Sequence, residues 1–417
     1  MKILFLGTLF QKSEEKNILD KSNMGLQNQA NTFQWLLING LDSILSESLD
    51  IINVLPVGTY PKQYKDIILK DSKWFHAANS FDQEIGSINL PFLKQIIRTI
   101  RCRKAIRKWI KINRIHEELH IIIYSTYLPF LSAVYHIHKK IKITLVVTDI
   151  PEYDDLTLCN NFVRKVLRDI YNKRIYASMD RINSFILLTD YMRNPLKIGD
   201  RPYIVIEGIT DIYNFDLKRN ISGFENNEKK IILYTGTLNY QFGIISLIKA
   251  FLLIDRSDYE LWICGAGEAE AEIREIAQND KRITCFGFLA KDKILELQYK
   301  ATLLVNPRPN SGEYTKYSFP SKTMEYMASG KPVLMYKLDG IPEEYDKYLY
   351  YFENDDIISM KEKIIEICSK SNKELCEKGR EARQWILNEK NNIKQSMKVI
   401  KMLESSNMGV NKCILKV

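Results

Sequence analysis

Lys322 and Glu325 stand three residues apart in Asn306-Pro-Arg-Pro-Asn-Ser-Gly-Glu-Tyr-Thr-Lys-Tyr-Ser-Phe-Pro-Ser-Lys-Thr-Met-Glu-Tyr-Met-Ala-Ser-Gly-Lys-Pro-Val333, where a polar loop feeds directly into a helix. The helix is sharply bounded: Ser318 is placed to cap it, Pro320 suits its first turn, Gly330 its exit, and Pro332 stops continuation. A helix start carries free N–H groups and about half a positive charge, which favours a phosphate or diphosphate there. Lys322 would offer that phosphate a cation, and Glu325, on the same face, would offer a carboxylate to sugar hydroxyls beyond it. The same spacing also describes an ordinary i,i+3 surface ion pair.

Two further stretches carry candidate chemistry. Asp149, in Val146-Val-Thr-Asp-Ile-Pro-Glu152, ends a β-branched run, the position from which a side chain enters the ligand site of an open α/β sheet. It could orient a hydroxyl or accept its proton, or simply cap the turn around Pro151. Arg98, Arg101, Arg103, Lys104, Arg107, Lys108, Lys111 and Arg114 concentrate the basic charge, interleaved with Ile96, Ile97, Ile100, Ile106, Trp109 and Ile110. Those spacings give a helix with one apolar stripe and a cationic remainder. Such a helix packs on a core with a solvated face, or lies on an anionic bilayer through Arg101, Lys104, Arg107, Lys108 and Lys111. With Trp109 alone among the cations and no nucleic-acid motif, a nucleic-acid partner is not expected.

These residues need a scaffold, and the chain supplies alternating strands and helices. Strands are expected at Lys2–Leu6, Ile51–Leu55, Ile121–Tyr124, Ile143–Thr148, Ser184–Leu188 and Tyr203–Ile206. A second series follows at Ile231–Thr235, Glu260–Cys264, Ile283–Phe286, Ala301–Val305 and Pro332–Tyr336, with helices at Ile244–Leu253, Glu268–Asn279, Asp292–Lys300 and Ser321–Ser329. Alternation of this kind builds parallel sheets. The expected organisation is a first α/β domain over 1–206, a polar linker over 207–230, a second α/β domain over 231–377, C-terminal helices over 378–403 and a polar tail over 404–417. Two such doubly wound domains facing each other would hold a substrate between the carboxyl ends of their strands.

The 306–333 segment resembles the donor-site signature of the glycosyltransferase family 4 clan, whose usual form is Glu-x-Phe-Gly, four residues, then Glu-Ala-Met-Ala-x-Gly-x-Pro-Val. Ser318-Phe319, Glu325, Met327-Ala328, Gly330 and Pro332-Val333 match it, and Pro-Ser-Lys with Glu-Tyr-Met-Ala is similar to a bacterial polysaccharide subgroup. Tyr234-Thr-Gly-Thr-Leu-Asn239 and Leu261-Trp-Ile-Cys-Gly-Ala-Gly-Glu268 resemble the family's other donor loops in order and spacing. The resemblance implies the GT-B fold, two Rossmann-like domains facing across a cleft, acceptor-binding over 1–206 and donor-binding over 231–377, with C-terminal helices returning toward the first. It implies donor contacts at Gly25, Gly236, Thr237, Gly265, Gly267, Arg308, Ser318, Phe319, Lys322 and Glu325, and catalytic carboxylates at Asp149 and Glu325. Many members carry a histidine where Asp149 stands.

The chain departs from the family in three places. The first family Glu falls at Tyr317, and the Arg and Lys that usually grip the diphosphate fall at Thr237 and Phe242. A diphosphate still needs compensating charge, and Arg308 and Lys322 are expected to supply it.

The resemblance implies transfer of a sugar from a UDP- or GDP-type nucleotide sugar to a saccharide, lipid-linked in this subgroup, with retained configuration. It also implies no metal or other cofactor: Asp154-Asp155 and Asp355-Asp356 read as polar loops, and no histidine has ligand spacing with a cysteine. A net charge of +9 suits anionic partners. Seven scattered cysteines without a Cys-x-x-Cys pair fit reduced thiols, and no stretch reaches the ~20 apolar residues of a membrane span. Together these point to the cytoplasm, at the inner face of the plasma membrane if the basic helix binds lipid. The competing reading is a catalytically inactive scaffold of the same fold. A same-fold epimerase would need further acid–base groups, and a Rossmann dehydrogenase a Gly-x-Gly-x-x-Gly after the first strand.

Overall fold

The computed structural model describes residues 1–23, 26–153, 162–211 and 229–405. Gly25, Asp154-Asp155 and most of the expected linker lie outside them. The described chain divides into two units, Met1–Ile209 with Asn392 onward, and Thr210–Asn391. The C-terminal helical stretch expected over 378–403 is therefore shared between the units.

The first unit contains β1 (Lys2–Gly7), β2 (Asp50–Asn53), β3 (Ile68–Leu69), β4 (Ser72–Trp74), β5 (Asp82–Glu84), β6 (Ser87–Ile88), β7 (Leu119–Tyr124), β8 (Lys142–Val147), β9 (Ser184–Leu187) and β10 (Tyr203–Val205). Eight of these form one sheet in the order β10-β9-β8-β7-β1-β2-β5-β4, parallel except where β4 runs against β5. Both faces are covered, so the central strands read as unbroken apolar runs such as Ile121-Ile-Ile123, which is completely buried. The helices are α1 (Glu15–Lys21), α2 (Asn28–Asp42), α3 (Leu93–Ile112), α4 (Leu128–Val134) and α5 (Phe162–Met179).

The second unit has β11 (Lys230–Thr235), β12 (Tyr259–Cys264), β13 (Ile283–Gly287), β14 (Leu303–Asn306), β15 (Val333–Met335) and β16 (Tyr350–Tyr351), all parallel in the order β13-β12-β11-β14-β15-β16. Around them run α6 (Ile244–Leu252), α7 (Glu270–Asn279), α8 (Lys291–Lys300), α9 (Ser321–Ser329), α10 (Ile357–Cys368) and α11 (Asn372–Glu389). The last helix, α12 (Asn392–Ser405), belongs to the first unit, where Val399, Met402 and Leu403 pack with Leu37, Ile38 and Leu41 of α2.

The basic helix α3 corrects the expectation drawn from its periodicity. Its buried stripe is Lys94, Arg98, Cys102, Ile106 and Trp109, whereas Ile96 and Ile100 are exposed. Two cations go inside because they cap a loop: Lys94 Nζ donates to the carbonyl of Val57, and Arg98 donates to the Leu55 carbonyl at 2.9 Å and to the Tyr127 hydroxyl at 3.0 Å. These donors satisfy the carbonyls, while burial, with the Arg98 charge as a second cause, pulls the Lys94 pKa down to about 7. Arg101 is likewise committed, to Asp71 and the Gly86 carbonyl, so it does not join the free cations Lys104, Arg107, Lys108 and Lys111.

An imidazole locks the end of α2 to this sheet. His76, with a side chain only 4% exposed, places one ring nitrogen 2.8 Å from Asp42 and the other 2.8 Å from Asp82. Burial pulls its pKa down, but the hydrogen bonds to both carboxylates outweigh burial and raise it to about 9. Because the folded pKa lies above the ordinary 6.5, the imidazolium's contribution is complete below about pH 6.5 and is lost as pH rises through about 9. Urea unfolding across that window should show a decline on the order of 2–3 kcal/mol in the wild type, largely absent from His76→Gln. Equal slopes in the two proteins would refute the clamp.

Candidate donor site

β11, β12, β13 and β14 each hand the chain to a helix from their carboxyl ends, so the β14–α9–β15 crossover puts the start of α9 at that edge. Helix bounds of Ser321–Ser329 are those expected, with Gly330 in the left-handed conformation at the exit. The cap differs. Pro320 is the N-cap residue and no side chain caps the helix, whereas Ser318 is extended two residues earlier and its hydroxyl accepts a hydrogen bond from Arg308 at 3.0 Å. The first turn of α9 thus keeps its electropositive end free of a capping side chain.

Lys322 and Glu325 are half-buried on one face, with Lys322 Nζ 3.1 Å from both carboxylate oxygens. Gln298 of α8, fully buried, donates to Glu325 Oε1 at 2.7 Å. Oε1 therefore serves two donors and Oε2 one, which leaves lone-pair capacity on Oε2 for a further hydroxyl. Sequence reasoning missed Gln298. Its signal was a polar residue at an apolar stripe position, four after Ile294 and three before Ala301. Gln298→Leu should preserve the packing and release the carboxylate, raising the donor KM about 5–10-fold with little change in kcat, as loss of one hydrogen bond to a charged group implies. Unchanged steady-state constants would dismiss Gln298 as a positioning residue.

Arg308 follows β14 and lies between two rings, its guanidinium carbon 5.7 Å from the centre of Phe242 and 5.3 Å from that of Tyr314. Phe242 is one of the two positions where the resembled family carries a cation. Arg308 thus brings a cation beside the ring that stands where that charge is missing. Burial lowers the Arg308 pKa, partly opposed by Tyr314, and an arginine so placed stays protonated. Among the described residues it forms no ion pair, and its buried Nε has no hydrogen-bond partner.

The glycine-bearing loops after β11 and β12 interlock. Gly236 N–H donates to Cys264 O and Leu238 N–H to Ala266 O, both at 3.0 Å. A Cβ on Gly265 would stand 1.8 Å from the Gly236 carbonyl oxygen, so this glycine is needed for backbone approach. Gly243, at φ +76°, meets the same limit against the Pro307 carbonyl at 2.1 Å. Gly267 lies against Leu238 and Thr237 is exposed. Tyr326 ties these loops to α9: its buried hydroxyl accepts the Thr235 N–H at 2.7 Å and donates to the Thr235 carbonyl at 3.0 Å. The Phe319 side chain is in the core, 5.3 Å from Tyr345 between ring centres. Tyr317, where the family has its first Glu, is half-buried.

The structure thus gathers Arg308, Ser318, Lys322 and Glu325 around one helix start in the second unit. Asp149 belongs to the first unit, two residues past β8. The residue as a whole is exposed, while desolvation of its carboxyl raises its pKa, partly offset by a hydrogen bond with Thr148.

The chain has the GT-B fold. It superposes on a sucrose-phosphate synthase from Thermosynechococcus elongatus over 98% of this chain and 100% of that one, with a TM-score of 0.64 and 14% identity. Anabaena HepE in complex with UDP matches over 97% and 100%, with a TM-score of 0.60 and 14% identity. Residues 229–370, most of the second unit, carry a glycosyltransferase domain of the family described as glycosyl transferases group 1. An uncharacterized glycosyltransferase of Methanocaldococcus jannaschii is 26% identical over 177 residues, 38% of this chain and 43% of that protein. The match thus spans less than half of that relative's length.

Proposed function

We propose that the chain transfers a sugar from a UDP- or GDP-type nucleotide sugar to a saccharide acceptor, lipid-linked, in assembly of a bacterial surface polysaccharide. The observation that carries this reading is the uncapped start of α9 with Arg308, Lys322 and a half-buried Glu325 carboxylate around it. The helix end, Arg308 and Lys322 would hold the diphosphate and stabilise it as it departs, while Glu325 takes the ribose hydroxyls. With that charge supplied by protein groups, no metal is required, and the configuration is retained as in the resembled clan. Gly25, Gly236, Thr237, Gly265 and Gly267 would bring backbone close to the donor, and Asp149 would orient the acceptor hydroxyl. A lipid-linked acceptor would place the protein at the cytoplasmic face of the membrane, with Lys104, Arg107, Lys108 and Lys111 toward anionic lipid. No described helix is long and apolar enough to cross a membrane.

Screening nucleotide sugars by thermal unfolding tests this reading. One UDP- or GDP-sugar should raise the midpoint, since a ligand of the native state stabilises it, and should slowly release nucleoside diphosphate. Stabilisation by none would remove the donor assignment. Binding without release would favour the scaffold.

A further inference from the structure

The exposed face of α3 and the short antiparallel pair β3–β6 beside it carry apolar residues that no other described residue of the first unit covers. Apart from Ile112 at its end, the exposed large apolar residues along the helix are Phe92, Leu93, Ile96 and Ile100, followed by the cations Lys104, Arg107, Lys108 and Lys111. Steps of three and four residues keep all of them on one side of the helix. Phe92, Ile96 and Ile100 are 68%, 58% and 61% exposed. β6 packs against α3 and pairs antiparallel with β3, and the paired residues Ile68 and Ile88 are exposed too, as is Ile67.

Three features say what this surface meets. It is apolar at one end and cationic at the other, and the sequence from Ile85 to His116 contains no Asp or Glu. The carboxylates on either side of β3 in sequence are already paired, Asp71 with Arg101 and Asp66 with Lys21, while Lys65 and Lys70 flank the isoleucines. Phe92 sits at φ +59°, ψ −47°, with the Leu93 N–H donating to the Pro91 carbonyl, a γ-turn that a bulky residue adopts only under strain. The chain bears this strain to start α3 with an aromatic ring in solvent.

We infer that Ile67, Ile68, Ile88, Phe92, Ile96 and Ile100 insert into the interface of an anionic bilayer while Lys104, Arg107, Lys108 and Lys111 engage its head groups. This deepens the reading that the protein works at a membrane: contact is by insertion, with the cations as the second of two signals. The two parts respond differently to salt. Cation attraction is screened within a Debye length, whereas apolar insertion is not.

Co-sedimentation of the full chain with vesicles of phosphatidylcholine containing about one third phosphatidylglycerol separates them. Wild type should bind, and should remain largely bound at about 0.5 M salt, where surface charge is screened. The triple change F92S, I96S, I100S should lower partitioning about tenfold and make the remainder salt-sensitive. Replacing Lys104, Arg107, Lys108 and Lys111 by Gln should abolish the preference for phosphatidylglycerol over pure phosphatidylcholine. All these positions are exposed, and an unchanged thermal midpoint confirms that each variant folds. The inference is overturned if wild type does not bind anionic vesicles, if the triple variant keeps salt-resistant binding, or if sedimentation shows a dimer that the triple variant dissolves, since the surface would then join two copies of the chain. The assay contains neither donor nor acceptor, so its failure leaves the donor site standing, and a failed donor screen leaves this surface standing.

Discussion

Glu325→Gln is expected to lower kcat/KM for the nucleotide sugar about 100-fold while changing the unfolding free energy by less than about 1 kcal/mol. The two effects separate because Glu325 serves two masters. In the folded protein it is one half of a partly exposed i,i+3 pair with Lys322, and such pairs contribute little to stability. Toward a bound donor it would be the half-exposed acceptor of the Gln298–Glu325–Lys322 group, the unpaired Gln298 Oε1 being buried, and an amide in place of the carboxylate would forfeit the charge-assisted bond to a substrate hydroxyl. Gln at 325 keeps the volume and loses the charge, so packing is held nearly constant. A change of a few tenths of a kcal/mol in stability with unaltered kinetics would return Glu325 to the status of an ordinary surface ion pair.

Arg308→Ala should weaken binding of nucleoside diphosphate about 30–100-fold, the equivalent of one strong guanidinium–phosphate interaction in a partly desolvated site. Arg308→Lys should recover only part of this, because an ammonium cannot stack its plane between Phe242 and Tyr314 or offer two parallel donors. Phosphate dependence distinguishes this role from a packing role. The loss in isothermal titration should be large for the diphosphate and small for the free nucleoside, whereas a collapsed loop would weaken both alike. Equal affinity of wild type and Arg308→Ala for the diphosphate would mean that the cations missing at Thr237 and Phe242 are not replaced at Arg308.

The donor helix was legible because its boundaries are local. Pro320 and Gly330 bracket nine residues, and both act through their own backbone preferences. The long strands were legible for the same reason, since runs such as Ile143–Val147 and Ile231–Thr235 need only burial on two faces. What escaped depends on partners far away in sequence. β3 to β6 have two or three residues each, too few to show a period, and become strands only by pairing. Arg98 reads as a solvated charge because the Leu55 carbonyl it caps lies 43 residues earlier. Ser318 looked like a cap, but Arg308, ten residues before it, claims the hydroxyl. The stacking of Arg308 on Phe242 joins positions 66 apart, so the sequence could show a missing cation and a spare one but not that they meet.

The most direct test is a crystal structure with the stabilising nucleotide sugar, or its nucleoside diphosphate, bound. The expected result has diphosphate oxygens within hydrogen-bond distance of the N–H groups opening α9 and of the Arg308 guanidinium, with a ribose hydroxyl on Glu325. A diphosphate seated elsewhere, with the start of α9 left to solvent and Glu325 still held only by Lys322 and Gln298, would contradict it.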